Sequence, residues 1–106
     1  MEIYFFNSRS KKFFESLKSE NKYLVVRLDN AFEILEEYNH KLSMPLSKQL
    51  GGGLFELRII DMIHIRFIYT FYNNKIWILH GFVKKTERIA KRDIEYARKQ
   101  LKILLH

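Results

Sequence analysis

The second half of the chain contains three successive runs of β-branched and aromatic residues, and these constrain the fold more than any other feature. The runs cover residues 54–60, 63–72 and 75–83, and only Asn73-Asn74 separates the last two. Asparagine tolerates the positive φ angles that a two-residue type I′ turn requires. The pattern therefore predicts three antiparallel strands joined in sequence as a meander.

The remaining elements follow from shorter patterns. Residues 2–6 predict a first strand, whereas apolar residues at helical spacing predict helices over about 10–18, 22–38 and 90–105. The first two helices are separated by residues 19–21 alone, so we expect an antiparallel helix hairpin packed on the sheet. The order β-α-α-β-β-β-α predicts an α+β fold, and 106 residues are the length of a single domain, 1–106.

Residues 41–53 are predicted to be a flexible connector. They include Gly51-Gly52-Gly53, and a phosphate-binding loop is the alternative interpretation. No Gly-Lys-Ser/Thr follows the glycines, which favours the connector.

Strand side chains alternate between faces, so the Asn73-Asn74 turn assigns each residue to a face. It places Phe67 opposite His80 and Tyr69 opposite Ile78, on an apolar face that the helix hairpin should cover. Phe55, Leu57 and Ile59 share this face if the loop around residues 60–62 has odd length. The other face is predicted to carry Glu56, Arg58, His64, Arg66, Thr70, Trp77, Val83 and Lys85.

Arg58 and Arg66 occupy central strand positions, where an unpaired guanidinium is costly. Two interpretations remain open: a structural salt bridge to Glu56, or an anion-binding floor, since the planar guanidinium suits phosphate. His80 is assigned to the apolar side, which indicates a core histidine more than a catalyst. A bulge near Gly81 would rotate it to the other face.

The charge is +7, and its distribution is uneven. Residues 1–50 carry 8 basic and 7 acidic side chains, whereas residues 51–106 carry 11 and 5. The second half is therefore expected to meet a polyanion such as nucleic acid; a surface kept basic for solubility or for an acidic protein is the alternative.

Several function classes are excluded or disfavoured by composition. The chain has no cysteine, which excludes disulfides and thiolate chemistry, and its four histidines lack metal-ligand spacing, so no metal or other cofactor is predicted. No apolar run approaches the roughly 18 residues of a membrane span, and the first residues do not resemble a signal peptide. A cytoplasmic protein with no membrane partner is expected.

Four segments together resemble the phage-derived, HigB-like branch of the RelE toxin superfamily. They are Lys48-x-Leu50-x-Gly52-x-Leu54-Phe55-Glu56-Leu57-Arg58, Ile65-Arg66-Phe67-x-Tyr69, Leu79-His80-Gly81-Phe82-x-Lys84-Lys85-Thr86 and Ile94-x-x-Ala97. The similarity runs from the first helix to the last. Ala90 stands where the family commonly has proline, Ile94 where RelE has a tyrosine, and the His-Asp set of some HigB toxins has no clear equivalent.

The resemblance implies an mRNA interferase of a type II toxin-antitoxin system, with a helix-turn-helix antitoxin, mRNA and the ribosome as partners. It also implies a cleft on the sheet face opposite the helix hairpin. By this similarity, Arg58, Arg66 and Lys85 are expected to bind phosphate. The candidates for proton transfer are His80, Glu56 and Lys84. A basic track for the RNA backbone is expected from Lys48, Arg88, Lys91 and Arg92, and Trp77 or Phe82 could stack a base. The rival functions are a ParE-like gyrase-binding toxin and a phage-derived binding protein without catalysis.

Overall fold

A computed structural model of the chain describes residues 1–59 and 64–106, and these form a five-stranded sheet with three helices. The elements are β1 (Ile3–Phe5), α1 (Ser8–Glu20), α2 (Lys22–Tyr38), a 3-10 turn (Asn39–Lys41), β2 (Ser47–Gly51), β3 (Leu54–Ile59), β4 (Ile65–Tyr72), β5 (Lys75–Val83) and α3 (Lys91–Leu105). The predicted α+β class is confirmed. The predicted ends of the β3 and β4 runs at residues 60 and 63, and the loop around 60–62, lie outside the described residues.

The sheet has the order β1-β5-β4-β3-β2, and its three central strands are the predicted meander. Asn73 and Asn74 have φ angles of 52° and 60°, as the two-residue turn requires. Phe55 pairs with Tyr69 and Leu57 with Phe67, so the predicted apolar face of β3 and β4 is confirmed. At one edge, β1 runs parallel to β5 and lies beside its first half.

The prediction of a flexible connector over residues 41–53 is wrong for residues 47–51, which form the edge strand β2. This strand pairs with β3, and all three glycines at its end and after it have positive φ, so they turn the chain back tightly into β3. Thr70 Oγ1 donates to the carbonyl of Gly53 at 2.7 Å and holds the turn against β4. A hydrogen bond of 2.6 Å between Ser47 Oγ and Tyr69 Oη also links β2 to β4 across β3.

The helix hairpin covers one face of the sheet, as predicted. Asn7 caps α1 by accepting from Ser10 N, and Asn21 caps α2 by accepting from Tyr23 N. The apolar sides of both helices pack on β3, β4 and β5 in a core of buried residues: Leu17, Leu24, Leu28, Phe32, Leu35, Leu57, Ile59, Ile65, Phe67, Tyr69, Ile76 and Ile78. This core leaves the second face of the sheet for other contacts.

The C-terminal helix α3 packs on that second face and covers part of it. Its buried Ala97 joins Leu54, Ile68, Leu79 and Phe82 in a smaller apolar cluster. The face on which the cleft was predicted is therefore partly covered by α3. Within residues 1–59 and 64–106, no helix is both long and apolar enough to span a bilayer.

A bulge in β5 reverses the faces on which the residues after it lie, so the predicted faces of these residues were wrong. The register shifts between Ile68 and Tyr69 of β4, so Phe67 lies opposite Gly81 instead of His80, and His80 lies opposite Ile68. His80 therefore shares the α3 face, and its assignment to the helix-hairpin face was wrong. Val83 pairs with Ile65, which reverses its predicted face as well.

The bulge is held by a single asparagine. Asn7 Nδ2 donates to the carbonyl of Leu79 at 2.8 Å and to Gln100 Oε1 of α3 at 2.9 Å, while its Oδ1 caps α1. One side chain therefore joins the start of α1, the bulge and α3.

Candidate functional site

Arg58 and Arg66 lie directly opposite each other on β3 and β4. Directly opposed residues of antiparallel strands project from the same face, so the register places both guanidinium groups beside one another. The side chain of Arg58 is 19% exposed and that of Arg66 is 7% exposed. The prediction that two central arginines share the face opposite the helix hairpin is confirmed by this register.

Glu56 lies between the two arginines. Arg58 Nε donates to Glu56 Oε1 at 2.8 Å, and Arg66 Nε lies 3.8 Å from the same oxygen. The carboxylate is only 1% exposed, so it supports the arginines from beneath instead of facing solvent. The salt-bridge interpretation is confirmed by these contacts. The anion-binding interpretation stays a prediction, which the geometry allows because one carboxylate cannot satisfy the five N–H donors of each guanidinium.

Burial also acts on Arg66. Desolvation lowers the pKa of its guanidinium, the charge of Glu56 raises it, and the neighbouring Arg58 lowers it. Arg66 Nη1 donates to the carbonyl of Ile65 at 3.0 Å, whereas its Nε has no hydrogen-bond partner in the described part of the chain. Binding of an anion would stabilise a guanidinium in this state, since charge-assisted hydrogen bonds replace the hydration that it has lost.

An open cleft lies over the two arginines, and we call it the arginine cleft. Its lining residues are Arg58, His64, Arg66, Val83, Lys84, Lys85, Thr86 and Glu87. Lys84 and Lys85 follow the end of β5, and the backbone N–H of Lys84 donates to the carbonyl of His64 at 2.7 Å, which fixes this rim. The parity of the strand assigned only Lys85 to the cleft; the structure brings both lysines to it.

His80 lies outside the arginine cleft, in a neighbouring groove. Its Nε2 is 2.7 Å from Asp93 Oδ1 in the first turn of α3, and its ring stacks on Phe82 and contacts Tyr96. The pKa of His80 is lowered: burial is the largest cause, the hydrogen bond and charge of Asp93 oppose it, and the charge of Arg9 adds to it. The lowered pKa favours the neutral imidazole at pH 7.

We call this second depression the histidine groove. It lies between α1 and the start of α3, with the end of β5 as its floor, and it is lined by Arg9, Lys12, Phe13, Ser16, His80, Gly81, Phe82, Val83, Lys85, Arg92 and Asp93. Val83 and Lys85 line both depressions, so the groove and the arginine cleft are adjacent around the end of β5.

The other predicted RNA-binding residues are placed less evenly. Arg92 lines the histidine groove, and with Arg88, Lys84 and Lys85 it also lines a small pocket formed by the segment after β5. Lys48 is exposed on β2 and pairs in register with Glu56, beside the cleft but not in its lining. Lys91 is exposed on α3 and lies 3.8 Å from Glu95, away from both depressions.

Neither aromatic candidate for base stacking projects freely into solvent. Phe82 is buried against α3, and Trp77 packs between Tyr4 and Phe6 while its Nε1 donates to the carbonyl of Tyr72 at 3.2 Å. In the described residues, no group of three or more His, Asp or Glu side chains is arranged to hold a metal ion.

Sequence reasoning did not connect His80 with the residues that surround it. Asp93, Tyr96 and Arg9 come from two helices at opposite ends of the chain, and no local spacing connects them with His80. The sequence does place Asp93 in the first turn of a predicted helix. An acidic residue at that position is also favoured by the helix dipole, so it does not by itself indicate a functional site.

The fold and the site define an α+β protein of RelE-like architecture with a cationic cleft beside its C-terminal helix. A family model described as phage-derived protein Gp49-like (DUF891) matches residues 12–102, so this chain belongs to that family, which is a family of RelE-like toxins. A search of curated proteins found no match.

Proposed function

We propose that this protein is the mRNA interferase toxin of a type II toxin-antitoxin system, HigB-like, acting in the cytoplasm as a single domain over residues 1–106. It would cleave mRNA without a metal ion, in association with the ribosome, and a helix-turn-helix antitoxin would neutralise it. The family membership supports the toxin class. The observation that carries the nuclease is the Arg58–Arg66 pair, which shares one buried carboxylate beneath an open cleft.

The chemistry needs cations at the phosphate. The 2′-hydroxyl loses a proton and attacks the adjacent phosphorus in line, the 5′-oxygen leaves with a proton, and negative charge grows on the phosphoryl oxygens between these steps. Donors fixed in advance around that charge supply most of the rate enhancement. Arg58 and Arg66 are held by Glu56, so we assign them to transition-state stabilisation, with Lys84 and Lys85 binding phosphate at the rim.

Proton transfer is assigned by position. Glu56 is buried beneath the arginines and His80 does not line the arginine cleft, so of the three predicted candidates only Lys84 reaches it. His64 also lines the cleft and is exposed. Because histidine is the side chain that most often serves as a general base, we propose His64 as the general base and Lys84 as a phosphate ligand.

Mapping mRNA ends after incubation with translating ribosomes tests the proposal. Wild-type protein should cut the message, and Arg58→Ala should reduce the cutting rate by about a hundredfold or more, in line with the loss of a transition-state donor. His64→Ala should reduce the rate, because it removes the proposed general base. Lys22→Ala removes one exposed cation from α2 on the opposite face and serves as the charge-matched control.

The variants must be compared at equal folded fraction, which thermal unfolding measures. Arg58 is the better choice than Arg66 for this purpose, since it is less buried. Intact mRNA together with inhibition of gyrase supercoiling would reject the nuclease and favour the gyrase-binding alternative. Equal cutting by wild type and Arg58→Ala would reject the assigned site.

A further inference from the structure

The histidine groove is lined by several positively charged side chains that have no evident role in holding the fold together. Four cationic side chains line it, from α1, from α3 and from the segment after β5: Arg9, Lys12, Lys85 and Arg92. The acidic residue of its lining, Asp93, is occupied by the hydrogen bond to His80. Like charges brought together in a concave site raise its potential and attract anions.

Most of these cations have no anionic partner among the described residues. Arg9 lies 4.6 Å above the ring of Tyr96, which gives it a structural contact. In contrast, Lys12, Lys85 and Arg92 form no ion pair within residues 1–59 and 64–106. Three cations from three separate elements therefore face one depression without a carboxylate to neutralise them in this part of the chain.

The floor of the groove holds a second indication of a ligand. His80 is only 3% exposed, and its Nδ1 has no hydrogen-bond partner in the described residues, although Nε2 is bound to Asp93. Buried polar atoms in folded proteins are paired in most cases, and an exception calls for an explanation such as a bound group. A neutral ring whose Nε2 donates to Asp93 leaves Nδ1 as an acceptor, so this atom would bind a donor such as a ribose hydroxyl beside the phosphate, and the phosphate itself would be held by the cations.

The groove is also in the right place for a strand that passes through the arginine cleft. Lys85 and Val83 line both depressions, so a chain leaving the arginine cleft around the end of β5 enters the groove directly. The walls of the groove are fixed because Asn7 ties the start of α1 to both the bulge and α3. A site held in this way needs little reorganisation to bind.

From these observations we propose that the histidine groove is a second phosphate subsite, which binds the RNA backbone next to the scissile linkage in the arginine cleft. The ligand is a flanking phosphodiester of the same single strand, held by Lys12, Lys85 and Arg92. The inference rests on the proposed function for the scissile linkage, but the groove is tested by binding alone.

The test uses 2′-O-methyl oligoribonucleotides, which bind but cannot be cleaved because the attacking hydroxyl is blocked. The variant is Lys12→Ala/Arg92→Ala, and the control is Lys11→Ala/Lys99→Ala, which removes one exposed cation from each of the same two helices outside the groove. Affinity for a hexanucleotide is measured by fluorescence anisotropy at several salt concentrations, and affinity for a dinucleotide by NMR titration.

We expect the groove variant to bind the hexanucleotide about tenfold more weakly or worse, as the loss of charged hydrogen bonds requires. The slope of its salt dependence should fall by about 0.7 for each phosphate that the variant no longer binds. Dinucleotide binding should be unchanged, since one linkage occupies the arginine cleft alone. The control should match the wild type for both ligands.

The failure of the groove and the failure of the proposed function give different results. Hexanucleotide affinity at the wild-type level in the groove variant, or an equal loss in the control, overturns the subsite even if mRNA cleavage is found. Selective loss of hexanucleotide binding in a protein that cuts no mRNA keeps the subsite and rejects the nuclease.

Discussion

At the scale of single residues, the protonation of His80 is set by its surroundings. The ring is enclosed by Phe82 and Tyr96, and burial lowers its pKa despite the adjacent Asp93 carboxylate. The neutral ring donates from Nε2 to Asp93 Oδ1, which joins the end of β5 to the first turn of α3. His80 is therefore expected to couple the stability of this junction to pH.

The sign of this coupling follows from proton binding. The unfolded chain has a histidine pKa of about 6.5, and the folded pKa is lower, so the unfolded state takes up the proton first as pH falls. The stabilisation is complete above about pH 6.5 and is lost progressively as pH falls toward the folded pKa. Urea unfolding between about pH 8 and pH 5 measures this loss.

His80→Gln provides the comparison, because glutamine donates to Asp93 without titrating. The wild type should lose more unfolding free energy than this variant as the solution is acidified. The exposed His40, His64 and His106 remain in both proteins, so the difference isolates His80. Parallel pH profiles for the two proteins would contradict the assignment.

The sequence predicted some of these residues and missed others for a physical reason. The shared face of Glu56, Arg58 and Arg66 follows from strand alternation, which depends only on adjacent residues and the register of one hairpin. The face of His80 depends on one extra residue in β5, and its partner Asp93 depends on how α3 docks. Neither is encoded in local spacing.

At the scale of elements, β5 packs closely against the helix hairpin at Gly81. A Cβ atom on this residue would lie 2.6 Å from Phe13 Cδ2 and 2.8 Å from Phe67 Cε1. The ring of Phe67 is packed between Phe14 and Phe32 and has no free space to move, whereas Phe13 contacts Phe67 from the edge of the histidine groove. The absence of a side chain lets α1 approach the strand directly after the bulge.

Gly81→Ala should therefore destabilise the protein by about 1–3 kcal/mol, as overpacking of a filled core does. Urea denaturation with an unchanged m-value would measure the loss. The double variant Gly81→Ala/Phe13→Leu should recover part of it, since the smaller side chain vacates the space that the new methyl group needs. A Gly81→Ala protein as stable as the wild type would show that the contact is not tight.

The edge strand β2 shows the limit of prediction at this scale. Its sequence, Ser-Lys-Gln-Leu-Gly, is too polar to indicate a strand by its own propensity. It forms because β3 offers a free edge, the glycine turn reverses the chain and Ser47 bonds to Tyr69 of β4. These are tertiary interactions, whereas the strands of the meander have enough β-branched and aromatic residues to be recognised alone.

At the scale of the whole molecule, placement of charge matters more than its sum. The helix α2 packs on the core face of the sheet and exposes Glu33, Glu36 and Glu37, whereas Arg58 and Arg66 open on the opposite face. The two helices of the hairpin together carry six basic and six acidic side chains, so the net charge of +7 comes from the rest of the chain. An RNA strand in the arginine cleft is separated from the α2 carboxylates by the sheet and a layer of helix.

This separation predicts a difference between two variants that act oppositely on net charge. Glu36→Lys/Glu37→Lys adds four positive units on α2, and Lys84→Ala/Lys85→Ala removes two at the cleft. At about 0.1 M salt the Debye length is about 10 Å, so the α2 variant should change affinity for single-stranded RNA by no more than about twofold. The cleft variant should lose about tenfold or more, since it removes direct phosphate contacts.

Lowering the salt to about 0.01 M extends the Debye length to about 30 Å, comparable with the 37 × 29 × 27 Å extents of the molecule. The α2 variant should then bind RNA more tightly than the wild type, because its added charge is no longer screened from the cleft. Anisotropy titrations at both salt concentrations test this. A large gain in RNA affinity for the α2 variant already at 0.1 M would mean that affinity depends on net charge alone or that RNA binds on the α2 side. Either result would contradict the arginine cleft as the binding surface.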